Sequence, residues 1–205
     1  MSPRKYDMGK RAAAAAETRG RIVDATRALH AEQGISGTSY EDIAARAGVG
    51  VGTVYRHFPS LDELIPACGQ VVGSILAMPA PGDAEAVFAG VEDEARIARL
   101  VDEAFGIYER GAPALRAVRR EPDAHPAVRQ TADALEASLG ALVEAALAPL
   151  GAGDEERRLV RALIDLGTWD ALRGQGVEPA PAIVALVTAA ARPPAARASA
   201  DASAA

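Results

Sequence analysis

The pattern of apolar and polar positions along this chain is helical nearly throughout. Ile22, Ala25 and Leu29, with Thr26 between them, recur at helical spacing and predict an amphipathic helix over residues 13–33, ended by Gly34. Thr38 followed by Glu41 reads as a capping box, so a second helix should open at Thr38 and run to about Ala47 before Gly48 stops it. A short third helix is expected over 50–57, limited by Pro59. Ser60 and Glu63 form another capping box before a long stripe of Leu61, Leu64, Ile65, Cys68, Val72, Ile75 and Leu76. Pro66 lies inside that helix and should kink it near its start. After the break at 78–82 and a short helical turn within 83–90, the residues Ile97, Leu100, Val101, Ala104, Phe105 and Tyr108 predict a further helix. Gly111 and Pro113 punctuate it, and a short basic helix follows to Glu121. Val128, Leu135, Leu139, Leu142 and Leu147 mark a long helix to about Leu150, Asp154 is expected to cap one running to Arg173, and a last one covers 181–191.

Composition agrees with an all-α fold. Hydrophobic residues make up 49% of the 205 positions but aromatics only 4%, so alanine and leucine dominate and helices are favoured over strands. The expected organisation is a basic arm at 1–12, a three-helix domain at 13–60, a larger helical domain at 61–192 and a disordered tail at 193–205. No uninterrupted apolar stretch of membrane-spanning length and no secretory segment stand out, which predicts a cytoplasmic protein. Cys68 is the only cysteine, which excludes an internal disulfide and reads as a buried, inert thiol. The net charge of −6 argues against nucleic-acid binding, but its distribution reverses the argument: residues 1–60 carry nine Lys/Arg against six Asp/Glu, and the acidic excess lies beyond them.

The informative stretch is Tyr40 to Phe58, YEDIAARAGVGVGTVYRHF, whose spacing suits two short crossed helices. Ala44 is small where the helices must approach, Gly48 can take positive φ in the turn, and Ile43, Ala47, Val49 and Val54 face the shared core. The string GVGVG is not a nucleotide loop, since no strand precedes it and no Lys-Ser/Thr follows. The segment from Thr18 to Leu64 resembles the N-terminal domain of TetR-family regulators. By that resemblance Thr53, Tyr55 and His57 would contact the phosphate backbone, Val51, Gly52 and Arg56 would lie nearest the base edges, and Thr18 and Thr38 would contact or cap near phosphates. Arg56 is the one candidate base reader with a bidentate head. The family has Ser where Gly50 stands and Lys where Leu61 stands; loss of that lysine implies a smaller salt dependence or compensation by Arg19, Arg21 or Arg46.

Beyond this segment the resemblance extends to layout only. It implies a homodimer formed by the last long helices, a pseudo-palindromic double-stranded operator, and release by a small-molecule effector of unknown identity. Phe105, Tyr108 and Trp169, with Arg119, are the residues from which an effector cavity would be built, although aromatic stripes at this spacing ordinarily form core. No metal-ligand spacing, activated nucleophile or cofactor fingerprint is visible, so no metal, cofactor or enzymatic turnover is expected. An activator, or a ligand-independent DNA binder with the same head, fits the sequence as well; an all-α enzyme fits less.

Overall fold

The computed structural model describes residues 8–190, and every regular element among them is helical. The tail expected at 193–205 and the first seven residues of the arm lie outside the described residues. The described residues form two compact units: one comprises 8–74 together with Pro113–Ala132, the other Ile75–Ala112 together with 133–190.

In the first unit, α1 (Met8–Gln33) begins five residues earlier than the periodicity suggests. The run Ala12–Ala16 supplies strong intrinsic propensity without an apolar stripe, so the helix extends through exposed residues where no burial pattern marks it. Gly34, at φ 92°, ends α1 as expected. The cap of α2 (Tyr40–Ala47) differs from the expected Thr38/Glu41 pair: Ser39 is the N-cap, its hydroxyl accepting the Asp42 amide while Asp42 accepts the Ser39 amide. Thr38 is instead occupied inside the turn, its hydroxyl donating to the Gly34 carbonyl at 2.7 Å. Both pairs fit the same spacing pattern, and the hydroxyl left free by the turn became the cap. Gly48 closes α2 in the left-handed region at φ 67°, and α3 (Val51–His57) follows.

Ile22, Val23, Leu29, Ile43, Ala44, Val54, Phe58 and Leu64 form one buried cluster, joining α1, α2 and α3 to α4 (Leu61–Leu76). The helix continues through Pro66. The stretch Leu61–Val87 is long and apolar enough to cross a membrane by length and composition, which the reading of uninterrupted runs did not register. It is not one helix. Ala77 stands at φ 46°, a 3-10 turn occupies Pro81–Asp83 and α5 (Ala84–Val87) is separate; α4 alone rises only about 24 Å.

The segment 113–132 completes the first unit from afar. Val118 and Val128 join Ile35 and Ile65 in a second apolar cluster. Glu121, beyond the C-terminus of α6 (Asp93–Arg120), receives the Ile35 amide at 3.0 Å and the Ser36 amide at 2.8 Å. The backbone angle at Gly34 favours glycine, and a Cβ there would also push the Glu121 carboxylate off these amides. His125 accepts the Ala127 amide on Nδ1, which leaves Nε2 to donate to Asp62 at 2.8 Å, tying the entry of α7 (Pro126–Leu147) to the first turn of α4.

In the second unit, the predicted boundary at Gly111 is a non-helical residue inside α6, at φ −143° and ψ 16°, followed by Pro113. Arg110 donates from Nε and Nη2 to the Leu76 carbonyl, satisfying the end of α4 where no glycine does so. The helix expected over 154–173 is two: α8 (Asp154–Leu163) and α9 (Leu166–Gly174). Asp165 divides them by accepting the Gly167 amide at 2.7 Å, an N-cap that an uninterrupted apolar stripe concealed. Asp154 is not the cap of α8 either; Gly153 is, with Glu156 accepting its amide. The last helix, α10 (Pro179–Ala190), starts at Pro179, whose missing N–H costs nothing in a first turn.

Candidate nucleic-acid interface

One face of α3 is locked into the core and the other is open. Val54 is fully buried, and Phe58, the residue that ends the helix, is fully buried as well. The Tyr40 hydroxyl donates to the Phe58 carbonyl at 3.0 Å, and the Tyr40 ring lies 4.6 Å from that of Tyr55. Two tyrosines therefore fix the C-terminal end of α3 to the start of α2. Burial pushes the Tyr40 phenol up from its ordinary value, so it stays a donor. Tyr40→Phe is expected to lower stability by about 1–2 kcal/mol, because the Phe58 carbonyl loses its partner, with the unfolding midpoint in urea as the measurement.

The outward side of α3 carries Gly52, Tyr55 and Arg56 exposed, with Val51, Thr53 and His57 half-buried beside them. Tyr55 is 51% exposed, a large aromatic held at the surface by stacking on Tyr40 rather than by burial. Gly50 is the N-cap, and no side chain bonds the first turn, so the amides of Val51 and Gly52 lack intrahelical acceptors. A serine at position 50 would supply such a cap; the glycine leaves the amides open. A Cβ at Gly52 would meet nothing within 4 Å, so the missing side chain reflects no packing demand inside the chain.

The basic residues around α3 are less free than their charges suggest. Arg19 lies over the Phe58 ring at 4.4 Å. Arg46 makes a two-pronged contact with Glu32, at 2.9 and 2.7 Å, which holds the Glu32 carboxyl below its ordinary range. The Thr18 hydroxyl donates to Ala14, and Leu61, in the place of the expected lysine, is 49% exposed. Arg56 is thus the predicted base reader that carries a long cationic side chain on the open face.

A family model for the bacterial regulatory proteins of the tetR family matches residues 22–68, which cover the core of α1, both crossed helices and the first half of α4. The chain carries a TetR-family helix-turn-helix domain. Among relatives of this TetR-type head, the HTH-type transcriptional repressor Rv3405c of Mycobacterium tuberculosis is 39% identical over 84 residues, 39% of this chain and 42% of that protein. The repressor KstR of Rhodococcus jostii is 47% identical over 49 residues, 24% of this chain and 23% of that one. The matches thus span less than half the length of these curated relatives. Solved structures extend the fold likeness to the second unit. A TetR-family member from Streptomyces coelicolor gives a TM-score of 0.60 at 23% identity, covering 85% of this chain and 98% of that one. The multidrug-binding protein EbrR complexed with malachite green gives 0.57 at 22% identity, covering 84% and 96%.

The other predicted residues lie in the second unit or at the edge of the first. Phe105, Tyr108 and Trp169 do come together: Tyr108 is 6.0 Å from each of the other two rings, and all three are buried. The Tyr108 hydroxyl donates to the Ile164 carbonyl at the end of α8, and Arg173 covers the Trp169 ring. Arg119 belongs to the first unit and is exposed, so it does not join the aromatic cluster. Glu121, which braces the helix-turn-helix from behind, carried no motif that could have singled it out, and Gly34 was legible only as a helix stop.

Proposed function

We propose that the protein is a homodimeric transcriptional repressor that binds a pseudo-palindromic operator through α3 and is released by a small molecule. The observation that carries this reading is the open face of α3, where Tyr55 and Arg56 stand exposed on a helix whose other side is fully buried. In this reading Arg56 reads a base edge, Val51 and Gly52 allow close approach to the groove floor, and Thr53, Tyr55 and His57 hold phosphates together with the amides opened by Gly50. In the same reading Thr18, Thr38 and Arg19 support the backbone contacts, and Arg46 joins them by exchanging Glu32 for a phosphate, an exchange that costs little because the pair is exposed.

Dimerisation is assigned to α8 and α10, which leave Leu159 and Leu186 43% and 52% exposed. The effector is assigned to the second unit, supported by the fold likeness to a protein that binds malachite green and by the Trp169 indole N–H, buried without a hydrogen-bond acceptor beside Tyr108 and Phe105. An effector that favours one of two conformers would shift operator affinity by its differential binding to them.

Selection of bound duplexes from a random pool by the full-length protein tests the reading. A two-fold symmetric winner is expected, and Arg56→Ala should relax discrimination at one base pair per half-site by about 1–3 kcal/mol while leaving the salt dependence nearly unchanged. Enrichment of no sequence, or an Arg56→Ala protein with unaltered preference, overturns it.

A further inference from the structure

The first unit contains a small pocket of about 50 Å³ behind the helix-turn-helix, bounded by α1, α4, the end of α6 and the start of α7. Its walls are almost wholly apolar, but one polar group on them is unfulfilled. Arg27 Nε is buried with no hydrogen-bond partner, and His30 stands beside it one helical turn further along α1. Neither residue is needed to seal the head: the core cluster of α1 is built from Ile22, Val23, Ala25 and Leu29 on the adjoining positions. A buried donor without an acceptor is costly, and it is relieved when an acceptor arrives.

We propose that this pocket binds a small, uncharged, mostly hydrocarbon molecule bearing one accepting oxygen, of the ketone class, with the oxygen on Arg27 Nε. The site lies in the first unit and is distinct from the aromatic cluster to which the effector was assigned above.

Four observations define the ligand. The volume exceeds that of one water and falls short of the roughly 150 Å³ that admits a benzene ring, so the inserted part has about three to five heavy atoms. The Arg27 charge is already paired with Asp24 at 3.3 Å, so a carboxylate would bury a charge with no counter-ion left to meet it. Burial holds His30 below its ordinary value, with Glu121 opposing that effect, so the ring is neutral and does not call for an anion. Cys68 forms part of the wall, and burial pushes its thiol up to about 12, so it remains a soft apolar surface and not a nucleophile.

The test uses the full-length protein with 2-butanone and its hydrocarbon isostere 2-methyl-1-butene as probes. Binding is followed through the methyl resonances of Ile35, Ile65, Val72, Val118 and Val128, all on the pocket wall. Saturable shifts confined to these methyls are expected, with the ketone bound about tenfold more tightly than the alkene, as one hydrogen bond dictates. Gly69→Ala puts a methyl into the pocket without a clash, since its nearest neighbour is Thr131 Oγ1 at 3.8 Å; it should weaken both probes several-fold and keep the fold. Arg27→Met should abolish the preference for the ketone and retain alkene binding. Shifts that do not saturate at tens of millimolar, that spread beyond these methyls, or that show unchanged affinity in Gly69→Ala overturn the proposal. Operator selection is independent of all these readouts, so either reading can fail alone.

Discussion

Phe58→Ala should cost the helix-turn-helix unit about 3–5 kcal/mol, the range for truncating a fully buried aromatic. Three contacts make the upper part of that range the expected one. The ring fills the core cluster between α1, α3 and α4, it carries the Arg19 guanidinium on its face, and the residue's own carbonyl receives the Tyr40 hydroxyl. The carbonyl survives truncation, but its position at the end of α3 is no longer fixed by the ring below it. Because α3 is only seven residues long, it has little stability of its own and relies on this anchoring. Urea unfolding followed by far-ultraviolet circular dichroism measures the loss. Phe58→Leu, which keeps most of the volume, should recover more than half of it, and an equal cost for both variants would show that the ring's stacking, not its volume, is what matters.

The second large effect is expected at Gly34. Gly34→Ala strains a backbone at φ 92° and drives its methyl into the Glu121 carboxylate, for a combined cost of about 2–5 kcal/mol. The two contributions can be separated. In a Glu121→Ala background the collision is gone, so Gly34→Ala should cost at least about 1 kcal/mol less than in the parent, a departure from additivity that marks direct contact. Additive effects would mean that the strain at Gly34 is purely its own. The pH dependence has a fixed sign. Hydrogen bonds from the Ser36 hydroxyl and amide, then from the Ile35 amide, hold the Glu121 carboxyl below its ordinary range. A carboxyl depressed on folding stabilises the protein above its unfolded-state value, and that contribution is lost as pH falls through the lower folded value. The stability gap between the parent and Glu121→Ala should therefore be full at neutral pH and close in acid.

What the sequence made legible follows from how local each signal is. The crossed helices were readable because Ile43, Ala47 and Val54 repeat within a turn or two and Gly48 marks its own backbone angle. Caps were legible in kind but not in place: Ser39 with Asp42 and Thr38 with Glu41 satisfy one pattern, and only the turn's own need for the Thr38 hydroxyl chose between them. Asp165 was hidden for the opposite reason, lying within a stripe whose apolar spacing continued across it. Glu121 was out of reach altogether, since a carboxylate that meets amides 86 residues away leaves no periodic trace. The aromatic trio was found because so few aromatics exist here, yet spacing alone could not tell a packed cluster from the lining of a cavity.

The return of residues 113–132 to the first unit bears on how such a head could be exchanged between proteins. A graft cut at Ser74, where the first stretch ends, would leave Ile35 and Ile65 without Val118 and Val128, and one cut at residue 60, where the motif ends, would lose Ile65 as well. Either cut would also leave the Ile35 and Ser36 amides without their acceptor. The transplantable module is therefore two separate pieces of chain, and a chimera that keeps its function must carry both donor pieces or find a host whose own returning segment supplies a glutamate at the same turn.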